Sequence, residues 1–145
     1  MSINQTIKIG ISSLILVMLT TLPNSVSAQK RKDIKNAGIN SKKEWNYSYT
    51  NDTEKKFLES EYQYDKNGNM LIEKQYDENG NIITHKEYQY DSNGNETVQI
   101  TYNPKGQVIE RIETKYYKED LKLEKKVFGS NGKLKSKKIF EYKTF

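Results

Sequence analysis

Three groups of residues in this 145-residue sequence have the types and spacing that chemistry needs: acidic loops, scattered glutamates with one histidine, and rows of tyrosine. The loops read DKNG at Asp65, DENG at Asp77 and DSNG at Asp91, each followed by Asn. Asp and Asn on alternate positions suggest a divalent cation. A helix-loop-helix calcium site, however, requires its glycine at the sixth place and a glutamate further on. Gly68, Gly80 and Gly94 stand at the fourth place, and a related copy, NPKG at Asn103–Gly106, has no carboxylate. The loops therefore read as chain reversals, with a scattered site on Asp65, Asp77 or Asp91 as the metal alternative; no metal, cofactor or ligand-bearing group is expected.

Catalytic constellations are sparse. His85 is the only histidine and falls between Thr84 and Lys86 on a polar strand face, so a nucleophile-histidine-acid relay would hang on an exposed position. Glu59, Glu61, Glu73, Glu87 and Glu113 would share that polar face, where a glycosidase needs two carboxylates. They are interspersed with Lys, Gln and Thr, and cross-strand Glu-Lys pairs are ordinary sheet stabilisers. No phosphate loop or cysteine cluster is present, and no catalytic residue is assigned. Tyr62, Tyr64, Tyr76, Tyr88, Tyr90 and Tyr102 form the candidate binding surface, since rows of tyrosine can take sugars or flat ligands as well as pack.

The elements that must position these residues follow from the loops. With Asp65, Asp77, Asp91, Asn103 and Gly129 as markers, the corners alternate between a shorter and a longer step, and the last interval equals one of each. Asp65 to Asp91 and Asn103 to Gly129 thus cover the same length of chain, so a pair of hairpin arms recurs. The long last interval predicts a worn turn at Tyr117, and one longer step back from Asp65 predicts another at Asn51. Asn67, Asn79, Asn93 and Asn131 precede Gly68, Gly80, Gly94 and Gly132, and both residue types tolerate left-handed backbone. Pro104, at the second place of its corner before Gly106, fixes φ at about −65°, as a type I turn requires.

Between corners the apolar residues alternate, which predicts strands near 44–50, 55–64, 69–76, 81–90, 95–102, 107–117, 121–128 and 133–143. Sorting by parity puts Tyr62 and Tyr64, Ile72 and Tyr76, Tyr88 and Tyr90, Ile100 and Tyr102, and Ile112 and Tyr116 on one apolar face. The expected fold is all-β, an antiparallel meander of about eight strands built from double-hairpin repeats and forming an open curled sheet. The alternative is a small closed up-and-down barrel, because four hairpins accumulate a shear of about eight. Its lumen would also have to hold Lys74, Lys86, Glu110, Lys125 and Lys138. An outer-membrane barrel fits poorly: counting back from Phe145, one face carries Lys143, Glu141, Ile139 and Lys137, and each lysine facing lipid at the midplane costs roughly 2–4 kcal/mol.

Residues 1–28 have the layout of a secretory signal peptide: Lys8, an apolar run from Ile9 to Leu22, and small residues up to Ala28. That run is short for a membrane span, so no span is expected in the mature chain. Residues 29–43, QKRKDIKNAGINSKK, read as a basic flexible arm, and 44–145 as the β-hairpin repeat domain. Without any cysteine, an exported chain is held by backbone pairing and apolar contact alone. Ten lysines face four acids from Lys115 onward, whereas from Gln29 to Thr114 the acids slightly outnumber the bases. That excess fits an acidic partner or, equally, lysines that keep an exposed sheet edge from pairing.

The motifs YDKNGN, YDENGN and YDSNGN resemble the YD repeats of the RHS family, in particular short exported bacterial proteins built from such units. The resemblance covers Glu61 to Tyr102 well and Asn103 to Phe145 loosely. It implies stacked antiparallel hairpins at the cell envelope or outside the cell, periplasmic or extracellular, and it supplies no catalytic residue. The expected function is non-enzymatic: a sheet surface for binding or structural interaction with a protein or glycan, with self-association as a further option and no nucleic-acid partner. A small polysaccharide hydrolase or glycan-binding module on the Tyr and Glu faces is the alternative.

Overall fold

The computed structural model describes residues 24–118 and 120–145. In chain order the elements are α1 (Asn24–Asn36), β1 (Ser41–Thr50), β2 (Thr53–Tyr64), β3 (Met70–Tyr76), β4 (Ile82–Tyr90), β5 (Glu96–Tyr102), β6 (Val108–Lys118), β7 (Leu121–Gly129) and β8 (Leu134–Ile139). All eight strands form one antiparallel meander in which each pairs with its sequence neighbours, and β1 and β8 are the two edges. The sheet is open and not a barrel. The two edges carry Lys42 and Lys43 on one side and Lys135, Lys137 and Lys138 on the other, so closing the ring would bring like charges together.

Four corners close on their first side chain. Asp65 Oδ1 accepts from the backbone N–H of Asn67 and Asn69 (2.8 and 2.9 Å), and Asn69 Nδ2 donates back to Asp65 Oδ2 (2.8 Å). Gly68 N donates to Asp65 O and Asp65 N to Asn69 O, which is a type I turn followed by a left-handed bulge with Gly68 at φ +79°. The same clip recurs at Asp77 with Asn79 and Asn81, and at Asp91 with Asn93 and Asn95. Asn103 builds it with an amide oxygen in place of a carboxylate. Asn131 keeps one of its bonds, accepting from Lys133 N. The earlier reversal, at Asn51 and Asp52, is a two-residue turn with φ +48° and +60°. The expected turn at Tyr117 lies slightly later, between the paired residues Lys118 and Leu121, and Tyr117 is an unpaired residue inside β6.

The single apolar face expected from parity is not what forms. Every strand pair contains a β-bulge that leaves a residue unpaired, Glu59, Leu71, Ile83, Thr97, Ile109, Leu123 and Lys135 in turn, and β6–β7 has a second irregularity at Tyr117. From β3 to β8 the bulged residue follows closely after the corner, opposite the aromatic that precedes it. One extra residue reverses the facing of everything beyond it. Tyr62 therefore pairs with Glu73 and not with Ile72. Tyr62, Tyr64, Tyr88 and Tyr90 share the first face with Glu73, Lys86, Ile112 and Tyr116, while Tyr76 and Tyr102 lie on the second with Ile72, His85, Glu87 and Ile100. Apolar surface is consequently spread over both sides of a single layer. Few side chains are fully covered, among them Tyr64 (7% exposed) and Ile34 (8%), while Trp45, Ile83, Leu121, Leu134 and Ile139 stay exposed.

Residues 29–43, expected as a flexible arm, contain the second half of α1 and the start of β1. Gly38 at φ +63° ends the helix, with Gly38 N donating to Lys35 O and Ile39 N to Ile34 O. The helix then docks on the first face: Ile34 is buried, and the Arg31 carbonyl stands where a side chain on Gly68 would have to go. A lysine-rich segment with one apolar residue thus holds a place because glycine allows a backbone-to-backbone approach. Of the expected signal peptide 1–28, residues 1–23 lie outside the described residues. No helix among those described is long and apolar enough to cross a membrane.

Candidate binding groove

The double-hairpin repeat places one tyrosine per unit at the same point on the first face. The hydroxyls of Tyr90, Tyr116 and Tyr142 each donate to a backbone carbonyl 20 residues earlier: Met70 O (2.8 Å), Glu96 O (3.0 Å) and Lys122 O (2.7 Å). Each bond reaches the neighbouring strand and fixes the ring against the sheet. Tyr64 pairs with Met70, Tyr90 with Glu96 and Tyr116 with Lys122, so the face is a series of niches, each between two tyrosines, with Met70, Glu96 or Lys122 in between. Tyr88 adds to the walls and donates to Glu73 Oε2 (2.8 Å), while Tyr62, on the same face, donates to Glu44 Oε2 (3.3 Å).

The sheet curls around these niches and, with α1 along one side, encloses a groove of about 620 Å³. The first niche is covered. Ile34 and Arg31 of α1 lie over it, and Arg31 Nη1 donates to Gly94 O (2.8 Å) and Asn69 Oδ1 (3.3 Å). The second, around Glu96, is lined by Tyr88, Tyr90 and Tyr116 and opens into the groove. Burial pushes the Glu96 carboxyl above its ordinary value against the pull of Lys122, Lys125 and Lys86. Burial likewise raises Tyr88 and Tyr90, the first also through its bond to Glu73, so their hydroxyls stay protonated as donors.

The second face is organised differently. Tyr76 donates to Glu61 (3.2 Å) and Tyr102 to Glu87 (2.9 Å). His85 stacks on Tyr102 with centroids 4.5 Å apart, and its Nε2 lies 3.4 Å from Glu87 Oε1 without hydrogen-bond geometry. The expected set of glutamates is divided by the bulges: Glu61, Glu87 and Glu113 are on this face, Glu73 on the other, and Glu59 in a bulge. Of this set only Glu73 lines the groove. Of the six candidate tyrosines, Tyr62, Tyr64, Tyr88 and Tyr90 come together on the groove side, while Tyr76 and Tyr102 do not.

The turn carboxylates are committed to their own loops. At Asp77 the Asn81 amide, with the loop N–H groups, holds the carboxyl below its usual value. At Asp65 and Asp91 burial pulls the other way, but the same bonds prevail. Among the described residues no group of three or more His, Cys, Asp or Glu has metal-binding geometry.

Residues 64–108 match the family model described as RHS Repeat. That stretch of the chain carries RHS repeats. The matched span runs from Tyr64 through the fourth corner, and it contains the covered niche and the Tyr90–Glu96 pair. The RHS repeat is a structural unit of non-enzymatic type. No curated protein matches the chain. Sequence reasoning passed over Met70, Glu96, Lys122, Arg31 and Ile34. The signal for the first three was available, since they stand at equal intervals, each at the sixth position after Tyr64, Tyr90 or Tyr116.

Proposed function

We propose that this RHS-repeat chain is a non-enzymatic exported protein that presents the concave face of its sheet to a partner at the bacterial envelope or outside the cell. The observation that carries this is the groove, in which aromatic rings are pinned through their hydroxyls to backbone carbonyls. Rings fixed before a ligand arrives lose little freedom on binding, so the surface is preorganised. Export is supported by the leader-like layout of residues 1–28, with Lys8, an apolar run and small residues before Gln29. The glutamates on which the hydrolase alternative rests are split between the faces, Glu61 and Glu87 on one and Glu73 on the other.

A photo-crosslinking residue introduced at Asn93, on the groove rim, and separately at Lys126, on the other face, tests the binding face in intact cells. Discrete adducts from position 93 and none from position 126 are expected. No adducts at either position, or the same adducts at both, would overturn the proposal. Amino-terminal sequencing of the same material tests export, with processing after Ala28 expected.

A further inference from the structure

We propose that the open niche at Glu96 binds an organic cation, an ammonium or guanidinium group carried by a small molecule or by a lysine or arginine of a partner. This rests on the binding face proposed above and gives it a ligand class. The repeat puts Glu96 where the covered niche has Met70, so the frame itself does not require a charge at this position. The carboxylate is half-buried, yet among the described residues no basic nitrogen lies within 4 Å of it; Lys122, Lys125 and Lys86 act only from a distance. A charge withdrawn from water without a close counter-charge is unfavourable, and an incoming cation would relieve it.

The walls suit the same ligand. Tyr88, Tyr90 and Tyr116 line the groove around Glu96 with their hydroxyls already bonded to Glu73, Met70 O and Glu96 O, which leaves their aromatic carbons as the available surface. A cation lying against tyrosine faces beside a carboxylate gains from both. Next door the chain places a cation of its own on the same side, where the Arg31 guanidinium enters from α1 and donates to Gly94 O and Asn69 Oδ1, neutral oxygens and not a carboxylate. Lys30 and Lys122 also border the groove, but both are exposed, where solvent screens them more than it screens a half-buried carboxylate. An inorganic ion is less suited, because no cluster of three ligating side chains is present among the described residues.

The test is a titration of the isotope-labelled full chain, at fixed ionic strength, with two cations and their neutral counterparts: choline against 3,3-dimethylbutanol, and Nα-acetyl-lysine methylamide against Nα-acetyl-norleucine methylamide. Saturable shifts of the amides of Tyr88, Tyr90 and Glu96 are expected with a cation and at least tenfold weaker binding with its neutral partner. Preference for choline points to a small-molecule source and preference for the lysine derivative to a partner side chain; either supports the site. Glu96→Gln should weaken the cation at least tenfold with an unchanged circular dichroism spectrum. If that variant does not fold, Tyr116→Leu, which removes one wall and keeps the carboxylate, should weaken it several-fold. Equal binding of charged and neutral probes, no saturable binding, or indifference to these substitutions overturns the proposal. Crosslinking from position 93 would still report on the binding face itself.

Discussion

Met70 and Glu96 occupy one position in successive units of the RHS repeat, each paired with a tyrosine of the preceding strand and each lending its carbonyl to the hydroxyl of the next tyrosine. One niche is roofed by α1 through Ile34 and Arg31, and the other is open and charged. The frame is held by backbone carbonyls and turn clips, none of which uses the side chain at 70, 96 or 122. A repeat built this way can change what a niche recognises by changing one residue. Where that residue is apolar, a segment of the chain covers it; where it is acidic, nothing in the described chain does.

The largest expected effect comes from lifting the roof. Gly68 and Gly80 have nearly the same backbone conformation, φ +79° and +83°, so alanine at either incurs the left-handed penalty of about 1–2 kcal/mol. Only at Gly68 would the new Cβ meet the Arg31 carbonyl; at Gly80 there is open space. Urea denaturation should show Gly68→Ala less stable than Gly80→Ala by at least ~1 kcal/mol, with faster hydrogen exchange in α1 for the first variant alone. Equal losses and an unchanged α1 would mean that the helix contributes nothing to the covered niche, and the contrast between the niches would disappear.

A smaller effect, of opposite sign, follows from making the niches alike. Glu96→Met should stabilise the protein by a few tenths to about 1 kcal/mol, because it removes a half-buried carboxylate from tyrosine surroundings. The folded state raises the Glu96 carboxyl above its unfolded value. Between the two values the folded chain binds more protons, so wild-type stability falls as pH rises through that window. In Glu96→Met this component should vanish, leaving melting curves at pH 5 and pH 7 closer together than in the wild type. A variant less stable than wild type at pH 7 would show that the carboxylate serves the fold and not a ligand.

The comparison also marks how far the sequence could be read. Corners, period and strand order were legible because Asp, Asn, Gly and Pro fix backbone conformation locally, whatever surrounds them. The facing of side chains was not, since the bulges leave the corner spacing even while inserting one residue per arm. Adjacent apolar pairs such as Met70-Leu71, Ile82-Ile83 and Val108-Ile109 were the available sign that alternation breaks there. The helix was hidden for a different reason: QKRKDIKN has one apolar residue, and its docking depends on Gly68, in a corner two strands further along the chain. The Glu96 niche was visible only by aligning the repeat on itself and asking where like positions hold unlike residues.

The smallest expected effect probes the element both niches share. Asp91 closes the corner beside the open niche through bonds to Asn93 N and Asn95 N, while Asn103 forms the same two bonds with an amide oxygen. Asp91→Asn should therefore be almost neutral at pH 7, whereas Asp91→Ala, which leaves both N–H groups to water, should lose about 1 kcal/mol at this exposed corner. The two separate further on acidification. The loop bonds depress the Asp91 carboxyl despite the opposing effect of burial, so its contribution is present above the ordinary aspartate value and is lost as pH falls through the depressed one. Denaturation between pH 5 and pH 2 should show the wild type losing a small increment that Asp91→Asn never had. If Asp91→Asn instead proves as damaging as Asp91→Ala at neutral pH, the carboxylate charge has a role beyond the corner, and Asp91 would have to be counted with the acidic groups around the open niche.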